Sequence, residues 1–180
     1  MRHFLVSFGF LLALLTGDTL AGGQRALAQT APQLVLEAPQ GEVILRVGGQ
    51  VARLNDGAFA AFDLAMLQAM EPVSFDTGTV WLGEVSHFEG VSLKSLLREI
   101  GAEGRTLRLT ALNDYVVDIP VESLEEDVPI LAYAVNGKIL TLRDKGPLWV
   151  MYPFDRSTAY QTEALYIRSV WQLEKIEVLP

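Results

Sequence analysis

The sequence predicts an α+β fold, with a mixed or largely antiparallel sheet carrying short helices. Three observations point to it. Short aliphatic and β-branched runs recur between turn-forming residues. Asn136-Gly137 separates two of them, Ile130 to Val135 and Lys138 to Leu142, and supplies the positive φ angles of a type I′ hairpin turn. Leu93, Leu96, Leu97 and Ile100 repeat at helical spacing between Gly90 and Gly101.

In chain order, Leu34-Val35-Leu36 and Val43 to Val47 read as strands, with Ala38-Pro39-Gln40-Gly41 as the turn between them. Asp56 is placed to cap a helix carrying Phe59, Phe62, Leu64, Met66, Leu67 and Met70, a stripe expected to face the core. Pro72 ends that helix. Val73 to Trp81 is then extended, with Val73, Phe75, Thr77, Thr79 and Trp81 on one side. The Leu93–Ile100 helix follows, and Gly101 stands where a left-handed terminating residue belongs. Thr106 to Leu112 and Tyr115 to Ile119 are strands around an Asn113-Asp114 turn. Pro120 opens an acidic helical turn, Val121 to Asp127. After the Asn136-Gly137 hairpin come a strand at Leu148 to Tyr152, a loop from Pro153 to Thr162, and a mixed segment ending in a strand at Lys175 to Leu179.

The first residues read as an export signal. Arg2 and His3 precede an apolar run, Phe4 to Leu15, that is too short for the roughly 20 residues a membrane span needs. Ala26-Leu27-Ala28 puts small residues where a signal peptidase reads, so cleavage is expected before Gln29, with Thr19-Leu20-Ala21 as a second site. Residues 1–28 are thus expected to be a signal peptide and residues 29–180 a single domain, soluble and periplasmic, with no membrane insertion after cleavage. The chain carries 14 Lys and Arg against 22 Asp and Glu, a formal charge of −8. Removing Arg2, Arg25 and Asp18 with the leader makes the remainder one unit more negative. That balance is the wrong sign for nucleic acid or an anionic membrane. The absence of cysteine excludes a lipid-anchored lipoprotein, disulfides, thiolate metal sites, iron–sulfur clusters and a cysteine nucleophile.

Several segments, taken in order, resemble the molybdopterin-binding domain of sulfite-oxidase-type enzymes. Phe88-Glu89-Gly90-Val91-Ser92-Leu93 with Leu96-Leu97 resembles its Gly-Val-x-Leu-x-x-Leu-Leu helix start, and Asn113-Asp114-Tyr115 with Ile119-Pro120 its Asp-Gly-Tyr hairpin. Pro129 to Leu140, Gly146-Pro147-Leu148 with Tyr152-Pro153, and Arg168 to Val178 resemble its later strands. The resemblance implies a sulfite-oxidase-like fold. It also implies an anionic cofactor among basic side chains, with molybdenum on a cysteine upstream of the helix. The matching stretch here, Asp76-Thr77-Gly78-Thr79-Val80-Trp81, has no thiol, and Trp171 falls at or beside the basic position of the last strand. Arg143, Lys145, Arg156 and Arg168 are the cations that could converge on a phosphate. The likeness is to short, exported, single-domain members without the full enzyme equipment.

Other chemistry is sparse. His87 is the one imidazole beyond the leader, and Glu84 and Glu89 do not complete a metal set around it, so it reads as a surface or capping residue. The serines lack a nucleophile-elbow context. Glu125-Glu126-Asp127 reads as a solvated acidic turn. The Tyr152–Tyr160 loop differs, with three aromatics, one arginine and one aspartate on a connecting segment. Tyr152, Phe154, Arg156, Tyr160, Tyr166 and Arg168 are therefore the candidate ligand- or partner-binding residues. In the competing reading the aromatics fold onto the core and Arg156 pairs with Asp155 or Glu163. No catalytic residue, metal ligand or cofactor is assigned. The expected function is a non-catalytic exported binding domain for a small molecule or for a periplasmic or membrane signalling or redox protein. The alternatives are a molybdopterin-dependent oxidoreductase subunit with a non-cysteine metal ligand, and a structural accessory of a larger redox complex.

Overall fold

Alternation of buried and exposed residues sets the first strand, β1 (Val43–Gly49), which sends Leu45 and Val47 inward. In the computed structural model, residues 36–180 are described. The expected signal peptide, its cleavage site, and all but Leu36 of the Leu34–Leu36 strand lie outside them. β2 (Ala60–Asp63) lies antiparallel to β1 and is buried along its length. The helix expected from Asp56 is therefore corrected. Asp56 instead bridges Phe59 around Gly57, whose φ is 59°. Asn55 accepts a hydrogen bond from the Ala61 amide and donates to the Ala61 carbonyl, which fixes the segment as extended. Pairing with β1 buries Ala60, Ala61 and Phe62 together, which one helical face could not do.

The helix that does form, α1 (Leu64–Gln68), is capped by Asp63, whose carboxylate accepts from the Met66 amide at 2.8 Å. β3 (Pro72–Thr79) and β4 (Leu82–Ser92) make a long hairpin. Gly90 in β4 must be glycine, because a Cβ there would lie 2.1 Å from the Leu131 carbonyl oxygen. Ser92 caps α2 (Leu93–Glu99), which buries Leu93, Leu96 and Leu97; Gly101 follows at φ 62°, as its position implied. β5 (Thr106–Ala111) and β6 (Val116–Pro120) form the expected hairpin. β7 (Ile130–Val135) is nearly all buried and turns through Asn136 (φ 50°) and Gly137 (φ 74°) into a short β8 (Lys138–Ile139). β9 (Trp149–Met151), α3 (Glu163–Arg168) and β10 (Leu173–Leu179) complete the order.

Two five-stranded sheets result. The first has the order β2-β1-β10-β5-β6, in which only β1 and β10 run parallel. The second has the order β3-β4-β7-β8, with β9 also paired to β7. Buried residues of both sheets and of α2 belong to one hydrophobic cluster. The sheets are also tied through the backbone. Trp149 in β9 bridges Trp171, just before β10, and the Val150 amide donates to the Val170 carbonyl at 2.8 Å. This tie brings the β3–β4 turn, β9 and α3 to one place.

Candidate functional site

The β3–β4 turn carries Val80 outward, 71% exposed, and Trp81 inward. Thr79 Oγ1 holds the turn by accepting from the Leu82 amide at 3.0 Å. The Trp81 ring meets Trp149, Tyr166 and Trp171 edge-on at centroid separations of 5.6, 6.0 and 6.0 Å, and Phe154 at 6.2 Å. Phe154 stacks on Tyr166 at 4.6 Å. Edge-to-face packing of this kind fixes ring orientation beyond simple burial. The result is an aromatic wall built from five rings spread from Trp81 to Trp171 in the chain.

Two open cavities share Trp81. One, of about 370 Å³, is lined by Val80, Trp81, Tyr115, Tyr166, Ile167 and Trp171. The other, of about 450 Å³, is lined by Trp81 and Trp149 together with Lys138, Arg143, Asp144 and Lys145. Both sizes fall within the range of small-ligand clefts. Lys145 Nζ lies 5.3 Å from the Trp171 ring centroid and 5.7 Å from that of Trp149, so one cation stands over the boundary between them.

The loop singled out from the sequence is only partly at this surface. Tyr152 and Phe154 are core residues, 3% and 2% exposed. Burial pushes the Tyr152 hydroxyl above its ordinary pKa, while the Arg168 charge acts in the opposite direction. Tyr166 lines the first cavity. Arg156 pairs with Asp127 at 3.2 Å, not with Asp155 or Glu163, and lies 5.9 Å over the Phe75 ring. Tyr160 donates to the Glu125 carboxylate at 2.9 Å, and its pKa is raised by burial and then by that bond. Asp155 instead accepts from the Gly78 amide at 2.6 Å, while its own amide donates to Thr77 Oγ1. Thus the loop is fastened to β3 and to the 125–127 turn.

That turn is exposed at Glu125 and Glu126, as expected of it, and it is also held by ion pairs and hydrogen bonds. Glu126 is held below its ordinary pKa by Lys94 and then Arg98, and its carbonyl accepts from Ser92 Oγ. His87 is exposed, with Nδ1 2.7 Å from Asp76 Oδ1. Of the four cations proposed to converge, Arg143 and Lys145 line one cavity, whereas Arg156 and Arg168 do not line it. In the sequence Trp81 falls in the cysteine-equivalent stretch and Trp171 at or beside the basic position, but nothing local to either joins them. Sequence reasoning missed Val80, Tyr115 and Ile167 as lining residues, and only their apolar character at turn or helix-end positions could have suggested them.

The residues present do not fit a thiolate-held molybdenum centre. The chain has no cysteine. The stretch Asp76–Trp81 offers a buried Thr77 and a Gly78 amide already bound to Asp155, and beside them the Trp81 ring lies against other aromatic rings. Among the described residues, no group of three or more His, Asp or Glu side chains could hold a metal ion. Hydroxyl and ring groups do not replace a soft anionic sulfur.

The oxidoreductase molybdopterin binding domain family matches residues 64–159. That span is more than half of the chain, and the chain belongs to this family. The mixed sheets and short helices are the family's architecture. The match begins at Leu64, upstream of the Phe88 start of the resemblance, and stops before α3 and β10, where a closing-strand likeness had been seen. No curated protein matches the chain. Among the described residues, no helix is long and apolar enough to cross a membrane.

Proposed function

We propose that this is a non-catalytic binding domain: a short, exported member of the family, released to the periplasm by removal of residues 1–28. It serves as an accessory that captures a ligand or a signalling or redox partner. The observation that carries this reading is the open aromatic cleft at Trp81. The stretch that matches the enzymes' cysteine segment, Asp76–Trp81, has no thiol and ends in a tryptophan packed against Trp149, Tyr166 and Trp171. A tryptophan there offers contact area and no redox ligand.

Within the cleft Tyr166 contacts the bound group, and Phe154 and Tyr152 hold it from beneath. Arg156, Tyr160 and Arg168 line neither cavity, and they meet the parts of a partner that extend beyond the cleft, the first two at the cost of their bonds to Asp127 and Glu125. The test is capture from periplasmic extract by wild type, Tyr166→Ala, Trp171→Ala, Arg156→Ala and Tyr160→Ala, each first shown to melt normally. Loss of at least tenfold in capture, about 1.4 kcal/mol, is expected for the cleft variants. Equal recovery of the same species by all five proteins contradicts the reading.

A further inference from the structure

We infer that the two cavities dock an acidic protein segment bearing bulky apolar side chains. This rests on the reading of the Trp81 cleft as the binding site and names what enters it. The first observation is the apolar surface. Val80, Tyr115, Ile167 and Trp171 are all at least 36% exposed, come from four separate segments and surround one cavity. Leu112, 45% exposed, is joined to the same neighbourhood by its amide, which donates to the Gln172 carbonyl at 2.9 Å. Exposed apolar groups scattered singly need no explanation, but a contiguous set with Tyr and Trp at its centre has the composition of a protein interface.

The second observation is charge. Elsewhere in the described residues most cations are matched, as in Arg108 with Asp118 and Lys94 with Glu126. Lys138, Arg143 and Lys145 line the neighbouring cavity and make no ion pair among the described residues. The one carboxylate beside them, Asp144, accepts from Thr141 Oγ1 at 2.7 Å. In a chain of net charge −8, three unmatched cations on one wall are a local exception. A partner carboxylate there would form charge-assisted bonds, while its apolar neighbours entered the cavity across Trp81. A small organic anion could use the lysines, but it would leave Val80 and Leu112 uncovered. The surface therefore favours a segment.

The experiment is binding of the purified protein to an array of synthetic peptides of about a dozen residues, a length matched to a segment that spans both cavities. The peptides vary independently in Asp/Glu, Lys/Arg and Leu/Phe/Trp content. The best binders are expected to be rich in both acidic and bulky apolar residues, and to shift the indole N–H resonances of Trp81 and Trp171. The double variant Arg143→Glu, Lys145→Glu should bind them at least tenfold more weakly, and Ile167→Asp likewise. Binding without acidic preference, or unchanged in the double variant, overturns the inference. So does a result in which 2-naphthoate shifts the same resonances and no peptide does, although the cleft then stands as a small-ligand site. If neither peptides nor 2-naphthoate shift those resonances, the inference fails, and the extract-capture result alone decides the fate of the cleft itself.

Discussion

The Asp155 carboxylate accepts a 2.6 Å hydrogen bond from the Gly78 amide, joining residues 77 positions apart. It is the contact that fastens the 153–160 loop to the end of β3, next to the Trp81 turn. The Asp155 amide reinforces it by donating to Thr77 Oγ1, a hydroxyl that is fully buried. Asp155→Ala keeps the second bond and removes the first. Because the carboxylate is exposed, the expected loss is about 1 kcal/mol, that of an ordinary hydrogen bond and below the range for one to a charged group. Urea unfolding checks this, and Trp fluorescence should change with it as the aromatic wall loosens. An unchanged midpoint and spectrum would show that the loop is held by its buried rings alone.

The β7–β8 hairpin gives a backbone test. Gly137 sits at φ 74°, and nothing lies within 4 Å of a Cβ built on it. Any penalty on Gly137→Val is therefore conformational and not steric crowding, about 1–3 kcal/mol for a β-branched residue forced into the left-handed region. The denaturant midpoint should fall accordingly. No change would mean that the turn readily adopts another form.

Acid should destabilise the protein. Asp63 is held below its ordinary pKa of 3.8 by the Met66 amide first and then by the Gly41 amide. Asp118 is lowered by Arg108, and Glu126 by Lys94 and then Arg98. Each group has a folded pKa below its unfolded one. Its contribution is therefore complete above the unfolded value and is lost as pH falls through the folded value. Stability should be flat near neutrality and decline below about pH 5, where unfolded carboxylates begin to bind protons. Asp63→Asn should lower stability at pH 7 and flatten the acid decline. A variant with the wild-type slope would show that Asp63 is not among the groups responsible.

The parts of the fold that were legible in the sequence are those set by local chemistry. The α2 stripe with Gly101 behind it, the Asn136-Gly137 turn and the β5–β6 hairpin all depend on neighbours in the chain. β4 was not legible, because Gly83, Glu84, Ser86, His87 and Glu89 read as polar and turn-forming. Its order comes from pairing on both sides, to β3 and β7. The 56–70 segment misled because Phe59, Phe62 and Met66 have helical spacing, while pairing with β1 outweighs local propensity in Ala60–Asp63. α3 was hidden because its residues bury little. The site was half legible for the same reason. Tyr166, Trp81, Trp171 and Lys145 are each visible in the sequence, but the cavity between the β3–β4 turn, the β5–β6 turn and α3, and its neighbour beside β9, exist only once two sheets have joined.

The central claim is that this chain keeps the family's fold without its molybdenum chemistry. The most direct test is the molybdenum and pterin content of the protein purified from its own host's exported fraction, with a dye-linked assay on the same sample. Molybdenum far below one atom per chain is predicted, with no sulfite- or sulfoxide-dependent electron transfer. One molybdenum per chain, accompanied by turnover, would contradict the account.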